Sequence, residues 1–210
     1  MNQEELSLIY VWDAYCGWCY GFSKSLKVFH EKHPELSLTI LPGGLFMGER
    51  KQAMGSLPYI ADVNERIHQL TGAIFGEAYQ DLAQEGTFVM DSEAAAKGFV
   101  ALTYFAKERA YELSAAMQHA FYSEGKSLND AATYAEIAER YGLDSEAVVE
   151  KFEDASSTKE AHEKFIQVQQ LGIQSYPTLL LKKGEQLFEL GGGVMTPEKI
   201  EARLMKILSA

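Results

Sequence analysis

The apolar run Leu8-Ile9-Tyr10-Val11-Trp12 and the Cys16-Gly17-Trp18-Cys19 stretch just after it set the tightest constraint on the fold, because a buried strand must hand over to a helix within a few residues. These are the only two cysteines of the chain, and they stand three positions apart. At a strand-to-helix junction such a pair lies within one helical turn, near enough to close a disulfide. Cys16 falls where unpaired backbone N–H groups and the helix dipole favour negative charge, which makes the junction a candidate thiolate site. Two other uses of short cysteine spacings stay open, as small core residues and as half of a zinc site. No second cysteine pair exists, and His30 and His33 stand a helix length away, so no metal is expected.

The 210 residues are enough for one substantial core, or for a small domain carrying a large insertion. A hydrophobic fraction of 47% excludes a disordered chain. No apolar run approaches the ~18 to 20 residues that span a bilayer, so no membrane association is expected. Residues Met1-Asn2-Gln3-Glu4-Glu5 lack the basic character of a secretory leader, and the expected compartment is the cytoplasm. In that reducing setting an isolated Cys-x-x-Cys reads as redox chemistry rather than as a staple. With 19 Lys plus Arg against 30 Asp plus Glu, the net charge of −11 repels phosphate backbones, so nucleic acid is not an expected partner.

Along the chain, Leu6 to Trp12 reads as a strand and Gly17 to His30 as a helix with Phe22, Leu26 and Phe29 on one face. Leu36 to Leu41 alternates as a half-buried strand does, and Pro42-Gly43-Gly44 breaks it. The opening is therefore strand, helix, strand, joined as a parallel crossover. From about Leu57 to about Asp154 the pattern is helical, beginning with the stripe Ile60, Val63, Ile67, Leu70 and Ile74. Further helices are expected from a cap at Asp91 or Ser92, around Leu113 to Phe121, from Ala131 to Gly142, and after a cap at Asp144. Ser157 or Thr158 opens another helix, which Gly172 ends. Thr178 to Leu181 and Gln186 to Leu190 form a hairpin with Lys182 to Glu185 as its turn. Thr196 and Pro197 then start a last helix that buries Ile200, Leu204 and Ile207. The Gly191-Gly192-Gly193 run has no Lys-Ser or Lys-Thr after it and is not read as a phosphate loop.

This order, the text from Trp12 to Phe22, the Gly172-Ile173-Gln174-Ser175-Tyr176-Pro177-Thr178 loop and the hairpin ending in glycines together resemble the DsbA-like branch of the thioredoxin superfamily. The resemblance implies an α/β thioredoxin-like fold with a large all-α insertion between the second strand and the C-terminal half. Residues 1–56 and 155–210 would form the thioredoxin-like domain, and 57–154 the helical insertion. It implies a protein-disulfide oxidoreductase or isomerase with no cofactor beyond the cysteine pair. Protein or peptide thiols and disulfides would be its substrates, alongside a cellular redox partner. Cys16 would be the attacking sulfur and Cys19 the resolving one, in agreement with the thiolate being favoured at a helix N-terminus. Gly17 would set the poise by allowing a tight start to the helix.

Trp18 would offer an aromatic face to substrate, or pack against the insertion. A cis peptide before Pro177 would hold the loop against the cysteines and turn the backbone of Tyr176 toward an extended substrate. Tyr176 is then a recognition residue, or an ordinary surface tyrosine. Relatives often carry a buried acid well before the first cysteine; here that place falls near Tyr10, and the nearest acid is Asp13, which takes over redox tuning or simply caps the loop. Two other functions fit the same resemblance: an adaptor whose cysteines switch partner binding, and a glutathione-using transferase or isomerase.

Overall fold

The computed structural model of the protein describes residues 5–209, so the acidic start at Met1 to Glu4 and the terminal Ala210 lie outside the described residues. Strand β1 (Leu6–Trp12) is buried on both faces, as its unbroken apolar run requires. Leu8, Tyr10 and Trp12 point to one side, toward Phe22, Leu26 and Phe29 of helix α1 (Gly17–Lys32). Val11 points to the other side, against Leu41 and Val168. Strand β2 (Ser37–Pro42) pairs with β1 in parallel, from Ser7 opposite Ser37 to Trp12 opposite Pro42, which makes the opening the expected parallel βαβ unit.

From β2 the chain enters a short strand β3 (Gln52–Ala53) and helices α2 (Ile60–Thr71) and α3 (Glu77–Glu85). It returns through β4 (Val89–Met90), which pairs antiparallel with β3. Helices α4 (Ser92–Phe105), α5 (Ala110–Tyr122), α6 (Ala131–Arg140) and α7 (Ser145–Glu153) follow. Helix α8 (Ala155–Gln170) leads back to the sheet, where β5 (Thr178–Lys183), β6 (Gln186–Gly191) and α9 (Pro197–Leu208) complete the fold. The sheet order is β2-β1-β5-β6, with β5 antiparallel to both its neighbours. Ile200 and Leu204 of α9 join the cluster on the α1 side, and α8 covers the opposite face through Val168.

Several boundaries differ from the sequence expectation, each for a local reason. Helix α8 starts at Ala155 because the Asp154 carboxylate accepts the Ser156 N–H at 2.6 Å, and Ser157 instead lies buried with its hydroxyl on the Lys151 carbonyl. The hairpin turn is Gly184-Glu185 alone, with Lys182 and Lys183 still paired in β5; Gly184 at φ +59° supplies the left-handed conformation that a two-residue turn needs. The apolar stripe of α2 stops short. Gly72 at φ +72° turns its N–H back to the His68 carbonyl at 2.8 Å and ends the helix, leaving Leu70 52% and Ile74 71% exposed while Ile67 is fully buried. The β3–β4 pair was not anticipated, since two-residue strands carry no period to read.

Candidate active site

Beyond Trp12, the loop Asp13-Ala14-Tyr15 delivers Cys16 to the N-cap of α1. The Cys16 N–H donates to the Asp13 carbonyl at 3.1 Å, and the Cys16 carbonyl takes the N–H groups of Cys19 at 2.9 Å and Tyr20 at 3.1 Å, which closes the first turn. The Cys16 side chain makes no capping bond. Its thiol instead donates to the Tyr176 carbonyl at 3.5 Å. Both cysteines are free thiols and both are buried, Cys16 with 6% of its surface exposed and Cys19 with none. The Cys19 sulfur accepts the Asp13 N–H at 3.4 Å. Burial pushes the Cys19 thiol well above its ordinary range; the adjoining Cys16 and the Asp13 carboxylate push the same way, against the pull of the Asp13 N–H.

Asp13 is 1% exposed. Its Oδ1 accepts the Tyr15 N–H at 3.0 Å and the Ser92 hydroxyl at 3.1 Å, and its Oδ2 accepts the Leu45 N–H at 2.9 Å. Burial outweighs these three donors and raises the carboxyl from its ordinary value to about 6. Tyr10, on β1, is a buried phenol pushed upward by burial and then by neighbouring Cys19 and Cys16.

Gly17 is the first residue of α1 and is half-buried. Its φ is not positive, and a Cβ there would meet Ile67 Cδ1 at 2.9 Å; one turn on, a Cβ on Gly21 would meet Ile67 Cγ2 at 2.8 Å. The two glycines form a notch in α1 that receives Ile67 of α2. Trp18 is half-buried against the main core. Tyr20 stacks on Tyr122 at 4.8 Å between ring centres and donates its hydroxyl to the Ile74 carbonyl at 2.9 Å. Tyr15 donates to Asn129 Oδ1 at 3.0 Å. His33 closes the far end of α1 on Glu201 of α9 at 2.6 Å, away from the cysteines.

The Tyr176–Pro177 peptide is cis. Tyr176 is half-buried, with its ring filling the place a side chain on Gly43 would take, 2.4 Å from that Cβ position, and its hydroxyl accepting the Gly44 N–H at 3.4 Å. Pro177 is buried, and Gly192 backs it so closely that a Cβ there would lie 2.1 Å from the Pro177 carbonyl oxygen. The glycine run thus serves a close backbone approach. Sequence reasoning missed Gly43, Gly192, Leu45 and Ser92 as parts of this site; Ser92 reads in sequence only as a helix cap. A groove of about 840 Å3 opens between α2 and α3, lined by Met54, Ile60, Phe75 and Tyr79 with Asn64 and Gln80. Asn64 reaches the first turn of α1, its Oδ1 3.8 Å from where a Gly17 Cβ would stand. No helix among the described residues is long and apolar enough to cross a membrane.

A buried dithiol at a helix N-terminus facing a cis-proline loop agrees with the family model that matches the chain over residues 7–204, the DSBA-like thioredoxin domain. The chain belongs to that family. Among solved structures, the DsbA-like fold recurs in the cytosolic disulfide reductase DsbM of Pseudomonas aeruginosa, 28% identical over 97% of this chain and 98% of that one, with a TM-score of 0.82. The same reductase determined with GSH gives 28% identity over 97% of this chain and 100% of that one, and a TM-score of 0.80. A Nitrosomonas europaea protein provisionally named a disulfide isomerase shares the fold at 23% identity and a TM-score of 0.84, covering 98% of each chain. No curated protein sequence matches.

Proposed function

We propose that this DsbA-like protein exchanges disulfides with protein or peptide substrates through Cys16 and Cys19. The carrying observation is the placement of Cys16, uncapped at the start of α1 with its sulfur at the Tyr176 carbonyl, and of Cys19 wholly buried behind it. The Cys16 thiolate attacks a substrate disulfide, and Cys19 then displaces the substrate sulfur from Cys16. Asp13, whose N–H bonds the Cys19 sulfur, is the redox-tuning acid that receives the proton of Cys19. Gly17 tunes the pair by admitting Ile67 against the helix. Trp18, Tyr176 and Pro177 border the substrate, and the α2–α3 groove has the volume of a ligand site for an apolar substrate segment. In this reading residues 57–154 are a helical insertion into the thioredoxin-like core. The cytosolic reductase named above supports a cytoplasmic setting and the reducing direction.

Replacing Cys16 by Ser should abolish exchange with a model protein disulfide, whereas replacing Cys19 should trap a mixed disulfide on Cys16. Retained turnover in Cys16→Ser overturns the mechanism. The structure of DsbM with GSH favours a second reading, in which glutathione is the thiol that returns the pair to its reduced form. Turnover that saturates with glutathione and needs both cysteines supports it; glutathione binding that survives loss of both points instead to a transferase.

A further inference from the structure

Three hydrogen bonds reach the Asp13 carboxyl, and they are not equivalent. Two come from the backbone N–H groups of Tyr15 and Leu45, which only donate. They satisfy an ionised Asp13 but cannot accept the proton of a protonated one. The third comes from the Ser92 hydroxyl, which both donates and accepts.

Ser92 is 2% exposed and is the first residue of α4. Its backbone N–H donates to the Phe46 carbonyl at 2.9 Å, and its Oγ accepts the Phe46 N–H at 2.9 Å, so it is clasped twice to the segment after β2. A serine at a helix start ordinarily spends its hydroxyl on capping. Here Asp91 performs that task, taking the N–H groups of Glu93 and Ala94, with Lys51 on its other oxygen at 2.6 Å. The Ser92 hydroxyl is left over, with one lone pair on Phe46 and its proton on Asp13.

We propose that Ser92 is a positioning residue for disulfide exchange, holding the carboxyl of Asp13, whose own backbone N–H lies on the Cys19 sulfur, as the partner among the described residues able to reverse its hydrogen bond when Asp13 takes up a proton. This rests on the reading of Asp13 as the acid that serves Cys19. In the step concerned, the mixed disulfide joins Cys16 to a substrate sulfur. The Cys19 thiol gives its proton to the Asp13 carboxylate, and the Cys19 thiolate attacks the Cys16 sulfur. The Cys16–Cys19 bond forms and the substrate sulfur leaves with the electron pair, then takes a proton. The two protein thiols are oxidised and the substrate disulfide is reduced. The other titratable groups acting on or feeling Asp13 are Cys19, Arg50, Tyr15, Tyr122 and Tyr176. The four besides Arg50 are thiol or phenols, so carboxyl titration dominates the acid side.

The test follows release of the thionitrobenzoate ion from Cys16 by stopped flow across the range from about pH 5 to about pH 8. In the wild type the rate of the Cys19 step should fall on the acid side of about 6. Removing a donor to a charged acceptor costs the ionised form more than the neutral one, so in Ser92→Ala this limb should move up by about one pH unit. Ser92→Thr, which keeps the hydroxyl, should restore it. An unmoved limb in a folded Ser92→Ala, or an equal displacement in Ser92→Thr, overturns the proposal. Should Ser92→Ala not fold, the wild type still decides: the infrared carboxylic acid band that disappears in Asp13→Asn must have the frequency of a hydrogen-bonded acid, and a free-acid frequency overturns the assignment. Exchange that survives Cys16→Ser would instead strike the proposed function itself, whatever Ser92 does.

Discussion

The thiol loop and the α2–α3 flank lie on either side of the first turn of α1 and are built on opposite terms. In the thiol loop even a carboxylate is buried, and each of its oxygens has a donor. On the flank, large apolar side chains stand in solvent, with Ile74 71% and Tyr59 55% exposed. Burial strengthens every charge interaction around the sulfurs and fixes their geometry, at a cost in stability. An open apolar lip contributes little to stability and leaves area for contact with something else. The two regions are thus separated by one glycine-notched helix.

The largest expected effect tests the buried side. Asp13 titrates near 6 in the folded protein, above the ordinary carboxylate range, so its favourable contribution is full at low pH and is lost as pH rises through that value. The stability of the wild type relative to Asp13→Asn should therefore fall by about 3 kcal/mol between about pH 3 and about pH 7. Denaturant midpoints at several pH values read this directly, and a flat difference would mean that Asp13 is not desolvated as described.

The next effect tests whether the thiol loop depends on rigid backing. A methyl group at Gly192 meets backbone, the Pro177 carbonyl, which has no rotamer to escape into. Gly192→Ala should lower the rate of exchange by about 100-fold through displacement of the proline loop, with the far-ultraviolet circular dichroism unchanged. Full activity would show that the loop tolerates movement and that the contrast between the two regions is weaker than drawn here.

The smallest effect belongs to the open side. Ile74→Asp should change stability by no more than about 0.5 kcal/mol, because the side chain is already in water. It should raise the KM for an apolar peptide disulfide while leaving kcat alone. A large loss of stability would show that the lip belongs to the core.

What was legible in sequence follows from the same division. The span of β1 was readable to the residue, since a run buried on both faces has no exposed position to blur it. The starts of α4 and α7 were readable from Asp91 and Asp144, whose side chains do cap their helices. The cysteine pair and the loop before Thr178 stood out because chemistry needs those residue types at those spacings. The stripe on α2 misled, because periodicity reports an apolar face and not whether anything covers it. Ser92 was illegible for another reason: it lies 79 positions from Asp13, and only the fold brings the hydroxyl to the carboxyl.

The small β3–β4 ladder has a meaning larger than its size. With the Met54 N–H on the Phe88 carbonyl and the Gly55 N–H on the Gly86 carbonyl, both at 2.9 Å, it ties off the two ends of the α2–α3 excursion into a neck. A loop so tied is a cassette: changing its length adds only a slowly growing closure cost. The scaffold can thus carry a longer or shorter α2–α3 flank while the setting of the two buried thiols stays as it is.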